Sequence, residues 1–241
     1  MNPMFQLVHA LLDRIETEQM ESIRRAAHIL ATVIKNEGII HVFGTGHSHM
    51  MALELFDRAG GLAPVNPILD SGLMLHESAL TSTLLERLEG YAPIVLKRYS
   101  LKPQDCMIII SNSGRNPAPI EAAIEAKRLG LPVIALTSLQ QSKTLSSRHS
   151  SGKHLCDFAD VVLDNLGVPG DAALTVDGLP YRICPTSTIV GASILESVVY
   201  YTVVELLREG IDPPLLTSAN LDTTLDPEEV FAKYRHRIRH L

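Results

Sequence analysis

Cysteine is scarce in this chain of 241 residues, and the three that occur are Cys106, Cys156 and Cys184. They are scattered and lie in apolar, strand-like surroundings. An odd number of widely spaced thiols fits neither the framework of a secreted disulfide protein nor the close spacing of a metal site. We therefore predict a reduced, cytoplasmic protein in which the thiols are buried and inert.

The chain also lacks long apolar runs and an excess of positive charge, and each absence argues against one class of partner. No apolar run approaches the roughly 20 residues that span a bilayer, and the amphipathic amino-terminal pattern, with its early acidic residues, is unlike a secretory signal. Positive charge is also in short supply, since the net charge is −6, whereas a general nucleic-acid binder presents a basic face. We therefore expect neither a membrane nor a nucleic acid among the partners.

Short apolar runs alternate along the chain with helical patterns, which is typical of an α/β fold. Buried strands are predicted at 39–43, 65–69, 106–110, 133–137 and 159–163, with a short edge strand at 181–184. A long or kinked helix is predicted at 4–36, and further helices at 49–59, 119–129 and 188–209. The stretch 79–98 is predicted to be helical up to Gly90 and Pro93. Strands that alternate with helices form a parallel sheet with helices on both faces.

This pattern predicts one domain, with a core at about 30–210, the amino-terminal helix at 4–36 and a helical extension at 211–241. The helix at 188–209 is nearly free of charge, so it is either a central core helix or an oligomer interface. The basic segment 233–241 is expected to be a solvated or subunit-bridging end rather than a nucleic-acid site.

Two turns are conspicuous because each follows a predicted strand and opens a helix. The first, at 44–48, reads GTGHS, and the second, at 111–116, reads SNSGRN. Gly44 and Gly46 permit positive φ and close backbone approach. Serine and asparagine side chains supply neutral donors beside the free N–H groups of a helix start, which attract anions. Since parallel strands end at one edge of a sheet, both turns are predicted to line one phosphate pocket.

Three common glycine motifs fit these turns poorly. A dinucleotide fingerprint needs glycine at His49, a nucleophile elbow needs glycine at Met50, and the Gly-Lys-Ser/Thr of a Walker A loop does not occur. His47 and His49, with Glu54 or His76, leave a divalent metal open as an alternative, although side chains two apart on a turn usually diverge. No cofactor is predicted. A plain helix cap is the alternative for the second turn alone.

The two turns carry a resemblance to a known family. GTGHS, followed by ISNSGRNPAPIEAAIEAKRLGLPVIALTS, resembles the sugar isomerase (SIS) domain of phosphosugar isomerases, phosphosugar lyases and phosphosugar-sensing regulators, over about 30–210. With SRHSSGK and the ending PPLLTSANLD, the chain is most similar to a bacterial subgroup of stand-alone SIS proteins of unassigned activity that resembles phosphoheptose isomerases.

The resemblance implies a flavodoxin-like three-layer αβα sandwich with a five-stranded parallel sheet. It also implies a sugar phosphate bound at the strand ends, and a homodimer or homotetramer that shares its sites. Phosphate would lie on Ser111, Ser113 and their amides, and the sugar would face Ser48. Arg148, in the polar segment 147–153, could add positive charge, or that segment is a surface loop without a role. The predicted binding residues are Gly46, His47, Ser48, Ser111, Asn112, Ser113, Asn116 and Arg148.

The chain departs from the family at the positions that decide activity. Arg58 stands where phosphoheptose isomerases carry a catalytic glutamate, and the stretch 192–201 lacks their glutamine and histidine. Etherases that act on muramic acid phosphate also carry a glutamate at the Arg58 position, and their second one is matched only loosely by Glu89. A lyase acting on an amino-sugar phosphate, or a phosphosugar sensor, therefore stays open as an alternative.

Aldose–ketose isomerisation needs a group that moves a proton between neighbouring carbons, which is work for a carboxylate or a histidine. The candidates lie between the two turns. Glu77 is favoured because a carboxylate on the apolar stretch GLMLHES is costly without a purpose. Glu86 comes second, and His76 is a candidate proton shuttle, whereas Glu89 is expected on a solvated helix face.

Overall fold

The computed structural model describes residues 2–218, 220 and 227–241. Its centre is a parallel sheet of five strands in the order β2-β1-β3-β4-β5. The strands are β1 (Ile40–Gly44), β2 (Val65–Ile68), β3 (Cys106–Ile110), β4 (Val133–Thr137) and β5 (Val161–Asp164). Every residue of β1 to β4 is buried, as expected for parallel strands covered on both faces.

Helices lie on both faces of this sheet. They are α1 (Pro3–Glu18), α2 (Met20–Lys35), α3 (Met50–Leu55), α4 (Ala79–Glu86), α5 (Tyr91–Leu96), α6 (Pro117–Arg128), α7 (Leu139–Thr144), α8 (Ser187–Arg208) and α9 (Pro227–Ala232). Single turns of 3₁₀ helix lie at Gly46–His49, Ser71–Leu73 and Leu155–Phe158. A separate antiparallel hairpin pairs β6 (Ala172–Leu174) with β7 (Ile183–Pro185).

Alternating side chains of the strands divide the core into two layers. Ile108 and Ile110 of β3 belong to one cluster with residues of α1, α2, α3 and α8, whereas Met107 and Ile109 belong to another with residues of α5 and α6. This two-residue period is the geometry of a pleated strand. The predicted three-layer α/β architecture with a five-stranded parallel sheet is confirmed.

α8 is a core helix, the first of its two predicted roles. Its 22 residues are long and apolar enough to cross a bilayer by length and composition alone. However, Val190, Ile194, Leu195 and Val198 are buried in the cluster that α8 shares with α2 and the sheet. Its apolar composition is therefore explained on that face by burial inside the protein.

Several predicted boundaries are wrong. The long or kinked helix predicted at 4–36 is two helices divided at Gln19. The helix predicted from 79 ends at Glu86, and a second helix, α5, begins after Gly90, whose φ of +85° is left-handed. The polar stretch that follows β4 contains α7, a helix that was not among those predicted. The strand expected at 181–184 lies in the separate hairpin rather than at the edge of the main sheet.

The carboxyl-terminal segment is only partly solvated, because Tyr234, Arg237 and Ile238 are buried against the domain while the other residues of 233–241 are exposed. The Nη2 of Arg237 donates to Asp105 Oδ2 at 2.6 Å, and the ring of His41 lies 3.1 Å from the same oxygen. Asp105 directly precedes β3 and is fully buried, so its charge requires a partner. Residues 219 and 221–226 of the extension predicted at 211–241 lie outside the described residues.

Candidate functional site

The first turn brings the end of β1 back close to its own backbone. A Cβ on Gly44 would lie 2.5 Å from the Ser48 carbonyl oxygen, so only glycine fits there. Gly46 adopts a φ of +54°, and the buried His49 has its Nδ1 at 2.5 Å from the Gly46 carbonyl oxygen. His49 therefore stabilises the turn. His47 is exposed, and Ser48 beside it is half-buried.

The second turn is held in shape by its neighbours. The Ser111 hydroxyl accepts from the Gly114 N–H at 3.2 Å, and Ser142 donates to the Ser113 carbonyl at 3.0 Å. Gly114 has a φ of +61°, and a Cβ there would lie 3.0 Å from the hydroxyls of Thr137 and Ser142. Within the described part of the chain, the half-buried Ser113 hydroxyl has no hydrogen-bond partner, so it is available to a ligand.

A chain of amides joins the second turn to the end of β5. Asn165 is buried, and its Nδ2 donates to Asn112 Oδ1 at 2.8 Å. The Nδ2 of Asn112 in turn donates to Gln141 Oε1 at 3.1 Å, and Asn165 Oδ1 accepts from the Gly167 N–H at 2.9 Å. The sequence analysis missed Asn165, although a polar residue immediately after a predicted strand is the signal that identified the other two turns.

Both turns open onto one narrow cleft at the carboxyl edge of the sheet. It is lined by His47, Ser48, Met51, Ile110, Asn112, Leu136, Asn165, Ser187 and Thr188. Its volume of about 30 Å³ is enough for one water molecule. A ligand larger than a water molecule does not fit inside this cleft as it stands.

The amino terminus of α8 forms one wall of the cleft and carries its own cap. The carboxylate of Asp171 accepts from the backbone N–H groups of Thr186 and Ser187, at 3.1 and 2.9 Å, and from the Ser187 hydroxyl at 2.5 Å. Asp171 itself has a left-handed φ of +66° and reaches the start of α8 from 15 residues upstream. Ser187 and Thr188, at the start of α8, were not among the predicted site residues.

The three predicted catalytic residues differ in position. Glu86 is half-buried, and its Oε1 accepts from the Thr45 hydroxyl at 2.8 Å, which places this carboxylate against the first turn. His76 is exposed, with its ring centre 6.5 Å from that of His49. Glu77 is exposed as well, so the burial that favoured it in the sequence analysis does not apply.

The segment 147–153 is fixed to the second turn. Arg148 Nη1 donates to Asn116 Oδ1 at 2.9 Å, and Asn116 precedes the first residue of α6. Glu89 accepts from the Ser150 N–H at 2.6 Å and from its hydroxyl at 2.9 Å, and these bonds lower the pKa of Glu89. Glu89 therefore anchors the loop, which differs from the solvated helix face that we expected for it.

The histidines of the first turn do not assemble a metal site with nearby carboxylates. Glu54 is paired with Arg58 at 2.8 Å. Across residues 2–218, 220 and 227–241, no group of three or more histidine, cysteine, aspartate or glutamate side chains is arranged to hold an ion. The donor set present here therefore offers no support for the metal alternative.

A parallel α/β sheet with two glycine- and serine-containing turns at its carboxyl edge defines a class of proteins that bind ligands at that edge. A family model described as SIS domain matches residues 5–138, which is more than half of the chain. The chain belongs to the SIS domain family, as its sequence predicts.

Relatives and solved structures agree with this assignment. A UPF0309 protein of Thermoanaerobacter pseudethanolicus is 46% identical over 239 residues, with 97% of each chain covered. A UPF0309 protein of Geobacillus thermodenitrificans is 41% identical over 235 residues, covering 97% of this chain and 94% of the relative. A phosphoheptose isomerase from Francisella tularensis has a TM-score of 0.56 at 18% identity, covering 82% of this chain and 93% of that one. The fold is therefore that of SIS proteins.

Proposed function

We propose that this protein binds a sugar phosphate across the mouth of the cleft and isomerises it between aldose and ketose forms. The observation that carries the proposal is that Ser48 and Asn112, from turns about sixty residues apart, line one cleft. The free hydroxyl of Ser113 and the first amides of α6 supply donors of the kind that hold a phosphate. We expect this to take place in the cytoplasm.

Glu86 is the carboxylate that we favour as the base. It would take the proton from the hydroxyl-bearing carbon next to the carbonyl, leaving an enediolate, and return that proton to the former carbonyl carbon. The proton of the neighbouring hydroxyl would pass to the former carbonyl oxygen, so that the new carbonyl forms where the hydroxyl was. Glu86 lies between the two turns in the sequence, and the hydrogen bond that it accepts from Thr45 holds it against the first turn. Glu77 and His76 remain candidates, on a loop whose exposed side chains a ligand could still reach.

The lyase alternative depends on Glu89, and one observation weighs against it. Both oxygens of that carboxylate are engaged by Ser150, so Glu89 has a structural role that needs no substrate. Catalysis by Glu86 would not require Glu89 to leave its hydrogen bonds with Ser150. We therefore favour isomerisation over elimination.

Isothermal titration with a panel of sugar phosphates and their non-phosphorylated parents tests the binding step. We expect heat only from the phosphorylated compounds, and an affinity about tenfold weaker in Ser113→Ala, which loses one hydrogen bond to a charged group. Ser193→Ala, on the exposed side of α8, is the matched control. Equal, negligible heats from both sets of sugars would remove the proposal.

A further inference from the structure

The hydroxyl of Ser187, which lines the cleft at the start of α8, is already committed as a donor. It donates to Asp171 Oδ2 at 2.5 Å. A serine hydroxyl has one proton and two lone pairs. The Ser187 oxygen therefore has only lone pairs left, and it can accept a hydrogen bond from a ligand but cannot donate one.

Two amides in the lining of the same cleft still have protons to donate. The Gly167 N–H donates to Asn165 Oδ1 at 2.9 Å, and this backbone donor fixes which way the Asn165 amide is oriented. Asn165 Nδ2 then donates to Asn112 Oδ1 at 2.8 Å, and Asn112 Nδ2 donates to Gln141 Oε1 at 3.1 Å. An amide nitrogen carries two protons. Within the described residues, Asn112 and Asn165 each use one of them on a protein acceptor and keep the other for a ligand.

The cleft has room for one small group. Its volume is about 30 Å³, which is enough for one water molecule. A hydroxyl group is of that size, and like water it both donates and accepts. A phosphate or an acetamido group is too large, and an ammonium group only donates, so it would leave the amide N–H groups without an acceptor. The size of the cleft and the polarity of its lining both fit one hydroxyl group.

The first turn relates this cleft to the reacting carbons. His47 and Ser48 line the cleft, and Thr45 of the same turn donates to Glu86, the base that we favour. Glu86 would take its proton from the hydroxyl-bearing carbon next to the carbonyl. In an aldose this carbon is C2, so the C2 hydroxyl is the one that the first turn brings to the cleft.

We propose that the cleft is a subsite for the C2 hydroxyl of an aldose phosphate, which donates to Ser187 Oγ and accepts from Asn112 or Asn165. This inference rests on the proposed function, which supplies the phosphate and the base. It restricts the substrates to sugar phosphates with a hydroxyl at C2, and it excludes those with hydrogen, an amino group or an acetamido group there. Asp171 is then a positioning residue, because it keeps the Ser187 proton out of the cleft.

Isothermal titration of the full chain with two matched pairs of sugars tests the subsite. The pairs are glucose 6-phosphate with 2-deoxyglucose 6-phosphate, and ribose 5-phosphate with 2-deoxyribose 5-phosphate. We expect the hydroxylated member of at least one pair to bind about tenfold tighter than its deoxy partner, because the deoxy sugar leaves the polar groups of the cleft unpaired. Ser187→Ala should reduce this preference to about twofold or less and leave the affinity for the deoxy sugars unchanged.

A control variant and a fifth sugar separate this subsite from the proposed function. Ser193→Ala, further along α8 and bonded within its own helix, should keep the full preference. If both members of each pair bind equally, or if Ser187→Ala weakens both alike, the subsite is rejected while phosphate binding stands. Tighter binding of N-acetylglucosamine 6-phosphate than of glucose 6-phosphate also rejects it. If none of the five sugars binds, the proposed function and the subsite are rejected together.

Discussion

At the scale of single residues, the surroundings of the glutamates decide which of them can act. Glu86 is half-buried and oriented by Thr45, whereas Glu77 is exposed and Glu89 is bound to Ser150. A general base must be held within hydrogen-bond reach of the proton it takes. Orientation therefore favours Glu86, although the sequence favours Glu77.

Glu86→Gln should lower the turnover number by about 100- to 10,000-fold, the usual contribution of a general base. The amide keeps the size of the side chain, and its oxygen can still accept from Thr45, so substrate affinity should change little. A coupled spectrophotometric assay with the isomerised sugar phosphate measures both quantities. Glu77→Gln is the matched comparison, and a larger loss in that variant would transfer the role to Glu77.

A buried histidine should make the folded state sensitive to acid. Burial lowers the pKa of His41, and hydrogen bonds from His41, Arg237 and the Ile39 N–H lower that of Asp105 despite its burial. In both cases the unfolded chain binds a proton more readily than the folded one, so stability is lost as the pH falls. For His41 that loss begins below the ordinary histidine value of about 6.5.

Urea unfolding at a series of pH values measures this effect. In His41→Gln, the unfolding free energy should fall less steeply below pH ~6.5, by at most about 1.4 kcal/mol per pH unit. The reason is that the variant lacks the histidine at which the unfolded chain binds a proton more readily than the folded chain. His9→Gln, on the exposed part of α1, is the control. Identical slopes in the unaltered protein and the His41 variant would contradict the expectation.

At the scale of elements, the start of α8 links stability to the site. Asp171 binds two N–H groups and one hydroxyl there, and the residues that it holds, Ser187 with Thr188, line the cleft. A carboxylate at a helix amino terminus also interacts favourably with the helix dipole. The cap is therefore expected to support both the helix and the wall of the cleft.

Asp171→Ala should lower the unfolding free energy by about 1 kcal/mol, the usual worth of such a cap. Because the wall of the cleft loosens with the cap, sugar phosphate affinity should fall in the same variant. Urea unfolding and titration calorimetry measure the two effects. Asp177→Ala, at an exposed position between β6 and β7, should change neither.

The strands could be predicted from the sequence because their signal is local. The prediction 106–110 coincides with β3, and 133–137 with β4, since a short apolar run followed by a polar turn suffices to mark a buried strand. The division of the amino-terminal helix at Gln19 was missed because its apolar spacing continues on both sides. Breaks of that kind depend on packing rather than on local pattern.

Only those parts of the candidate site that form a short continuous segment of the sequence could be predicted. The two turns were found because each is a short motif after a strand. Asn165 and the start of α8 were missed because they reach the cleft through the order of the sheet and the path of the chain after β5. Our preference for Glu86 over Glu77 likewise depends on the contact between Thr45 and Glu86, which the sequence does not reveal.

At the scale of the whole molecule, one apolar row remains exposed. Leu80, Leu84 and Leu88 follow one another four residues apart, and each is at least half exposed. Leu80 and Leu84 share one side of α4, and Leu88 follows in the turn after it. Exposed apolar patches commonly mark contacts between proteins. They support our expectation of a homodimer or homotetramer.

Sedimentation velocity should give a mass of two or four chains of 26.4 kDa. Leu84→Glu should shift the particle towards a single chain, because a charge in an apolar contact is costly to desolvate. Leu207→Glu, exposed on α8 on the other side of the sheet, is the comparison. A single-chain mass for the unaltered protein would contradict the expected homodimer or homotetramer.

The docking of Arg237 on Asp105 has a consequence during biosynthesis. The two residues are 132 positions apart, so a ribosome completes β1, β2 and β3 long before the guanidinium emerges. Until then, a nascent sheet would enclose the carboxylate with only His41 and backbone amides to neutralise it. The final packing of the sheet's amino-terminal edge therefore awaits the translation of Arg237, and a nascent chain halted before that residue should remain loosely packed there.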